Sequence, residues 1–297
     1  SIGKLLKYKS SIVDGVVKNF WDNNNLNKKN VCLTAVGGYG RSELFPFSDI
    51  DILIIVENYN DNKIIKNIEN FIADIWYLKN SVGHSVRTVE ECISKINEDS
   101  VIYTNLLDNR FIIGDKKLYK KLLRNITNKN IWSKNKFLLE KKLEQETRYN
   151  KFSNTGYLLE PNIKEGPGGF RDLQTLIWIA KKNFKTNSLF DIYKTDIISK
   201  KEYLALLRAQ RFLNKTRFLL HYIHEKPEER LYFTSQKNLA ELFGFDVKTN
   251  NGIEDYMQIF YKHITNVKQL NEILLKYIED KMTGPKENYD KKIKEDF

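Results

Sequence analysis

The sequence is poor in cysteine. Cys32 and Cys92 are the only two in 297 residues, and both stand among apolar neighbours without C-x-x-C spacing. Two cysteines cannot build the disulfide framework of a small secreted domain, nor a four-cysteine zinc site. We therefore expect a protein of a reducing compartment whose stability comes from a hydrophobic core.

Long apolar segments are also absent. No run approaches the roughly 18 residues that a membrane span needs. The N-terminus, SIGKLLKYKSSIVDG, lacks the basic, apolar and small-residue order of a signal peptide. These absences predict a cytoplasmic protein with no membrane partner. The chain begins with Ser and ends in the polar run KENYDKKIKEDF, so we expect a piece of a longer polypeptide.

Acidic residues are outnumbered by basic ones. The chain has 49 Lys and Arg against 38 Asp and Glu, a net charge of +11. Such a balance predicts an anionic partner, for example a nucleotide, a nucleic acid or an acidic protein. The lysines are scattered among asparagines and do not form a stripe, which argues against a nucleic-acid face. We do not expect nucleic acid to be the partner.

The first part of the chain has the pattern of a small α/β unit. Four segments are short and apolar, as strands are: VCLTAV (31–36), IDILIIV (50–56), VGHSVRTV (82–89) and RFIIGD (110–115). Helical periodicity covers residues 3–22 and 61–79. The second strand is nearly continuous in Ile, Leu and Val, which is typical of a strand covered on both faces.

From about residue 116 the pattern is mostly helical. The main periodic segments are 137–152, 171–184, 202–225, 236–245 and 253–281. The longest non-helical insert among them is SNTGYLLEPNIKEGPGGF (153–170). The aromatic residues Tyr256 and Phe260 recur at helical spacing and indicate core packing. We predict an α+β fold: a small sheet with flanking helices in residues 1–130, followed by a mostly helical domain in residues 131–297.

The stretch AVGGYGRSELFPFSDID (35–51) joins the first two strands and carries candidate chemistry. Asp49 and Asp51 are two residues apart, so both carboxylates project from one face of a strand, provided that the strand begins near residue 48. Adjacent carboxylates repel unless a proton or a cation lies between them, and Mg²⁺ prefers oxygen ligands. Glycines directly after a strand let backbone N–H groups approach an anion, and Arg41 could neutralise phosphate. Spacing alone permits two interpretations: a phosphate cradle facing a metal site, or a turn followed by an acidic loop.

GGYGRSELFPFSDIDILII resembles the nucleotidyltransferase signature of the bacterial PII uridylyltransferases, within the polymerase-β-like superfamily. Three more segments are similar to further blocks of that family: VGHSVRTVEEC (82–92), EPNIKEGPGGFRDLQTLIWIA (160–180) and ERLYFTSQ (229–236). The match is collinear and spread over most of the chain, so it is far more specific than D-x-D alone. It implies a polymerase-β-like nucleotidyltransferase sheet followed by a helical domain.

The resemblance also implies a reaction and a site. Two groups of residues would form that site: the catalytic Mg²⁺ ligands Asp49 and Asp51, and the UTP-binding residues Gly37, Gly38, Arg41 and Ser48. The acceptor would be a tyrosine hydroxyl of the PII nitrogen-regulatory protein, which takes up UMP while pyrophosphate leaves. Whole enzymes of the family continue into a domain that removes UMP. The present sequence contains no His-Asp dipeptide, so the resemblance concerns the transferase portion.

Two positions depart from the family pattern. The family usually has a Trp-Asp pair before the third strand, where this chain has Trp76-Tyr77, and commonly Gly where it has Ser42. Neither change removes a metal ligand implied by the resemblance. The third strand offers no further carboxylate, although its His84 could lie near the site.

Other features have a structural and a functional interpretation. The insert EPNIKEGPGGFRDLQT is either a turn before a helix starting near Arg171, or a loop that brings Lys164 and Arg171 to phosphate. His221 and His224 have a spacing that can bind zinc, but no third ligand accompanies them, so partly exposed surface histidines are the simpler expectation.

Two alternative functions stay open at this point. The first is a related transferase that moves AMP or CMP to RNA or to another protein. The second is a regulatory domain that binds a nucleotide with weak catalysis or none.

Overall fold

The structure is a computed structural model that describes residues 1–27, 29–77, 81–128, 131–152, 158–249 and 251–283. Within these ranges, no helix is both long enough and apolar enough to cross a membrane.

A mixed four-stranded sheet forms the centre of the first part. Its strands are β1 (Val31–Ala35), β2 (Ile50–Val56), β3 (Val82–Thr88) and β4 (Arg110–Gly114). Their order is β3-β2-β1-β4. β1 is antiparallel to both β2 and β4, whereas β2 and β3 are parallel. The four predicted strands are confirmed, and so is the α+β class.

β3 and β4 each end at or next to a residue whose side chain caps the following helix. β3 ends at Thr88, whose hydroxyl accepts from Glu91 N in a capping box. β4 ends before Asp115, whose carboxylate accepts from Lys117 N and Leu118 N. The predicted strands 82–89 and 110–115 are therefore each one residue too long.

Among the residues that the structure describes, six helices accompany the sheet. They are α1 (Ile2–Asn23), α2 (Gly37–Gly40), α3 (Asn62–Trp76), α4 (Val89–Glu98), α5 (Ser100–Leu107) and α6 (Lys116–Ile126). α3 begins where the Asp61 carboxylate caps the amides of Lys63 and Ile64. The last residues of the predicted helix 61–79, residues 78 and 79, lie outside the described residues.

The second part is helical, as predicted. Its helices are α7 (Lys134–Asn150), α8 (Phe170–Phe184), α9 (Leu189–Lys194), α10 (Lys200–His224), α11 (Phe233–Phe243) and α12 (Asn251–Thr283). Most ends fall within three residues of the prediction. Residues 153–157 of the predicted insert lie outside the described residues. Tyr256 and Phe260 of α12 are buried, which confirms their assignment to the core.

The two parts share their hydrophobic cores. Ile54 of β2 packs with residues of α1 and α3 on one face of the sheet. Leu53 packs on the other face in a cluster that contains the free cysteines, α7 residues and Trp178 of α8. β2 is thus covered on both faces, as its composition predicts. Phe45, from the first part, belongs to the core of the helical part. The division at residue 130 stays a prediction, because side chains from both sides of it pack together.

Candidate active site

The glycine turn follows β1 directly. Val36 N donates to Asp51 O (3.0 Å), which joins the start of the turn to the D-x-D strand. Gly37 has φ +56°, a left-handed conformation that favours glycine. Val36 precedes the first helical residue and its side chain makes no capping hydrogen bond. Since the first amides of a helix have no partner within it, those of Gly37 and Gly38 are available to an acceptor.

Packing explains why one of the other two positions of the turn is glycine, but it does not explain the second. A Cβ on Gly40 would lie 1.9 Å from the carbonyl oxygen of Asp108, so packing within the protein requires glycine there. A Cβ on Gly38 would approach no atom closer than 3.8 Å. Packing therefore does not explain glycine at position 38, whereas close approach of a ligand to its backbone would.

Asp49 and Asp51 lie at the start of β2. Asp49 is exposed one residue before the strand, and Asp51 is half-buried within it. Burial raises the pKa of Asp51, the charge of Asp49 raises it further, and Lys164 acts in the opposite direction. The effect of the Asp49 charge indicates that the two carboxylates are close enough to repel each other. β2 begins at Ile50, so Asp49 precedes the strand, and a strand beginning near residue 48 is not observed.

The Asp51 carboxylate lies between two glycines. Its Oδ2 is 3.5 Å from the position of a Cβ on Gly37, and its Oδ1 is 2.4 Å from that of a Cβ on Gly83. Gly83 is the register partner of Asp51 across β2 and β3. Because neither glycine has a side chain, the glycine turn and β3 can both approach the Asp51 carboxylate of the D-x-D strand closely.

This donor set fits a hard cation that binds together with phosphate. Mg²⁺ commonly takes one or two carboxylates and completes its shell with water and substrate oxygens. In the part of the chain that the structure describes, no three or more His, Cys, Asp or Glu side chains are grouped to hold a metal. A repelling pair of carboxylates beside free backbone amides suits Mg²⁺ bound with a nucleotide, and does not suit a closed structural metal site.

Arg41 is held by two carboxylates. Its Nε donates to Glu43 (2.8 Å) and its Nη1 to Asp108 (2.6 Å). The remaining nitrogen, Nη2, lies 3.9 Å from the position of a Cβ on Gly38, beside the turn. A contact of Arg41 with phosphate stays a prediction, and Nη2 is the atom that would make it.

Asp108 is a site residue that the sequence gives no sign of. It is fully buried and also accepts from Trp178 Nε1 (2.8 Å) and Lys181 Nζ (2.7 Å) of α8. Through Arg41 and the contact with Gly40, it fixes the glycine turn to the helical part. Its partners are 67 to 73 residues away in sequence, beyond the reach of any periodicity.

Ser48 shapes the turn before the aspartates. Its hydroxyl accepts from Phe45 N (3.2 Å), and its own amide donates to Phe45 O (3.1 Å). Lys9 Nζ donates to the carbonyls of Phe45 and Pro46 (2.6 and 2.5 Å), which ties the same turn to α1. A contact between Ser48 and nucleotide stays a prediction.

His84 lies away from the aspartates. It pairs in register with Ile52, one position after the pair of Asp51 and Gly83, so it projects from the opposite face of the sheet. It is exposed, and its ring lies 5.7 Å from that of Trp76. The expectation that His84 could lie near the site is wrong.

The two departures from the family pattern have different consequences. Tyr77 is 85% exposed at the end of α3 and takes no part in the core. Ser42 has φ +59°, a conformation that is costly for residues other than glycine. The substitution at 42 therefore adds backbone strain next to Arg41.

The insert before α8 is a folded loop. α8 starts at Phe170, one residue from the predicted start. Asp172 is fully buried and accepts from Gly168 N (2.6 Å), Arg148 and Tyr149. Arg171 donates to Glu165 (3.1 Å), so its charge is already balanced within the loop.

The histidine pair of α10 is not a surface feature. The expectation of partly exposed histidines is wrong for His221, which is fully buried. Its ring lies 5.9 Å from that of Phe45, and its Nε2 is 3.7 Å from Glu229 Oε1. His224 is half-buried, with Nε2 2.6 Å from Ser235 Oγ. The burial follows from packing of α10 against the FPFSD segment, which helical periodicity does not reveal.

Comparison with known proteins agrees with this geometry. Residues 17–143 match the family described as nucleotidyltransferase domain. Residues 136–275 match the family described as GlnD PII-uridylyltransferase. Together the two matches extend over most of the described chain.

Curated relatives carry the name bifunctional uridylyltransferase/uridylyl-removing enzyme. One from Hydrogenovibrio crunogenus is 38% identical over 291 residues, which are 95% of this chain and 32% of the relative. One from Aliivibrio fischeri is 41% identical over 250 residues, 84% of this chain and 29% of the relative. One from Pseudomonas fluorescens is 34% identical, covering 96% and 32%. The chain thus spans about a third of the length of these relatives.

Proposed function

Because the chain belongs to the PII-uridylyltransferase family and contains its nucleotidyltransferase domain, we propose that it transfers UMP from UTP to a tyrosine hydroxyl of a PII protein. The observation that carries the proposal is the placement of the Asp51 carboxylate between Gly37 and Gly83, beside Asp49. This arrangement brings two carboxylates that could hold a metal next to backbone N–H groups that can donate hydrogen bonds to phosphate oxygens.

The chain's own residues have distinct roles in this proposal. Asp49 and Asp51 would hold Mg²⁺, and the amides of Gly37 and Gly38 would donate hydrogen bonds to phosphate oxygens at the N-terminal turn of α2. The bound Mg²⁺ would offset the negative charge that develops on the phosphates. The tyrosine oxygen attacks the α-phosphorus, the bond between the α-phosphorus and the bridging oxygen breaks, pyrophosphate leaves and the hydroxyl proton passes to solvent. Positioning of the triphosphate is therefore the main contribution of the protein.

A transfer assay tests this function. The chain is incubated with Mg²⁺ and α-labelled UTP, ATP or CTP, each with PII protein or with RNA as acceptor. We expect label to pass from UTP to PII, and Asp51→Asn and Asp49→Asn to lower the rate by about a thousandfold, since a metal contributes several kcal/mol. Asp22→Asn is the matched control, because Asp22 is an exposed aspartate of α1.

The same assay separates the alternatives. Label passing to RNA from ATP or CTP would support a nucleic-acid transferase instead. Nucleotide binding without transfer to any acceptor would support a regulatory nucleotide-binding domain. Transfer that survives in both aspartate variants would contradict the roles assigned to Asp49 and Asp51.

A further inference from the structure

The loop before α8 holds the backbone of Lys164 from several sides. Asn162 Oδ1 accepts from Lys164 N (3.0 Å), and Arg171 N donates to Lys164 O (2.9 Å). The preceding residue, Ile163, is fully buried, and its amide donates to Glu229 O (2.8 Å). These contacts anchor the loop to α8 and to the segment between α10 and α11. Lys164 is therefore presented from a fixed support.

That support lies against the segment that carries the aspartates. Phe45, four residues before Asp49, packs edge-on against Phe170 with ring centroids 5.9 Å apart. The guanidinium of Arg217 lies 4.2 Å from the centroid of the Phe45 ring. Arg217 also binds Glu229, whose carbonyl anchors the loop of Lys164. This series of contacts places Lys164 at the edge of the candidate site.

Charge balance around the loop leaves Lys164 unmatched. Three neighbouring arginines have carboxylate partners: Arg148 with Asp172, Arg171 with Glu165, and Arg217 with Glu229. Lys164 is half-buried and forms no ion pair with any residue that the structure describes. Burial lowers the pKa of Lys164, and the charges of Arg217 and Arg171 lower it further, whereas the charges of Glu229 and Glu165 raise it. Both carboxylates are in ion pairs with the arginines, so no carboxylate among the described residues contacts the half-buried ammonium, and a ligand that supplies an anion in contact would stabilise it.

Asp51 of the candidate site lies within electrostatic range of Lys164. The charge of Lys164 lowers the pKa of Asp51, against the larger effect of burial. Lys164 forms no ion pair with Asp51, so the charges of both are available to a third group that contacts the two side chains. A polyphosphate with its bound cation suits that position, because its anionic oxygens match the ammonium and its cation matches the carboxylate.

We propose that Lys164 binds the triphosphate of the nucleotide, so that the helical part of the chain supplies one side of the phosphate site. The inference rests on the proposed function and deepens it. It assigns Lys164 to phosphate contact, and it assigns the neighbouring helix cations Arg148, Arg171 and Arg217 to holding the loop in place. Lysine suits phosphate contact at this position because its ammonium is a compact point charge that can bind phosphate without bidentate geometry.

Calorimetric titration without an acceptor tests the proposal. The intact chain, with Mg²⁺ present, is titrated with UTP and with inorganic tripolyphosphate. We expect Lys164→Met to weaken both ligands by about tenfold to a hundredfold, the usual effect of losing a charged hydrogen bond. Lys164→Gln should give the same loss, and Lys164→Arg, which keeps the charge, a smaller one. Lys182→Met is the matched control: Lys182 is a half-buried lysine of α8 whose ammonium bonds to Ile131 O.

The outcomes distinguish this inference from the function on which it rests. Wild-type affinity for UTP in both neutral variants would overturn the role of Lys164 and leave the proposed function standing. A loss for UTP without a loss for tripolyphosphate would also overturn it, because the contact would then be to the nucleoside. Failure of the wild-type chain to bind UTP would overturn both. Unchanged circular dichroism and melting temperature identify the variants whose affinities can be compared.

Discussion

Gly83 is the position at which one added methyl group tests the site most directly. A Cβ there would lie 2.4 Å from Asp51 Oδ1, whereas ordinary contact begins near 3.4 Å. The atom that it meets is the end of a side chain, so the carboxylate can move away while the strands stay paired. Gly83→Ala should therefore displace the Asp51 carboxylate by about 1 Å.

We expect this displacement of the carboxylate to lower the activity of the protein and not its stability. A misplacement of about 1 Å in a reacting assembly can lower the rate by about a hundredfold. Gly83 is exposed on β3, an edge strand of the sheet. Replacing a strand glycine by alanine reduces the entropy lost on folding and can add about 0.5 kcal/mol of stability. We expect kcat/KM to fall by about a hundredfold while the melting temperature is unchanged or higher.

The assay combines nucleotide transfer at varied Mg²⁺ with thermal unfolding. Gly15→Ala in α1 is the matched control, since a Cβ there would meet nothing within 4 Å. It should keep wild-type transfer and gain up to about 1 kcal/mol, as expected for alanine in a helix interior. Wild-type transfer and wild-type Mg²⁺ dependence in Gly83→Ala would refute the reasoning, because Asp51 would then tolerate the displacement.

Three further changes have signs that the structure determines. Ser42→Gly relieves a residue at φ +59° and should raise the free energy of unfolding by up to about 1 kcal/mol in urea denaturation. Asp108→Asn leaves Arg41 without its buried carboxylate and should lower the free energy of unfolding by about 3 kcal/mol in the same assay. Glu43→Gln removes the more exposed carboxylate partner of Arg41 and should lower it by less than about 1 kcal/mol. Burial and the neighbouring aspartate raise the pKa of Asp51, so its ionised form destabilises the metal-free fold at neutral pH. Asp51→Asn should then stabilise the chain in EDTA at neutral pH, with a gain that shrinks as the pH falls through the raised pKa and the wild-type carboxyl takes up its proton. A destabilised Ser42→Gly, equal losses at positions 108 and 43, or a destabilised Asp51→Asn would each contradict the corresponding argument.

The local architecture follows from the sequence because its signals are short in range. Alternation and helical periodicity predict the four strands and the main helices, and capping residues such as Asp61 and Thr88 explain where the helices start. The spacing of Asp49 and Asp51 predicts a shared site for the same reason, since a strand repeats every two residues. The glycine turn before the two aspartates is recognisable as a motif in the sequence, and its resemblance to the family indicates the chemistry.

Only the tertiary structure decides which distant groups meet. Asp108 binds Arg41 and Lys181 across 67 and 73 residues, and no periodic pattern specifies such a partner. His221 becomes buried because α10 packs on the FPFSD segment, and β3 turns His84 away from the aspartates because it pairs in register with β2. Lys164 is one lysine among many in the sequence. It becomes distinct when folding pairs the arginines around it with carboxylates and brings its charge within electrostatic range of Asp51. Local periodicity therefore determines the elements and the motif, whereas burial and charge balance across the fold determine how the candidate site is held.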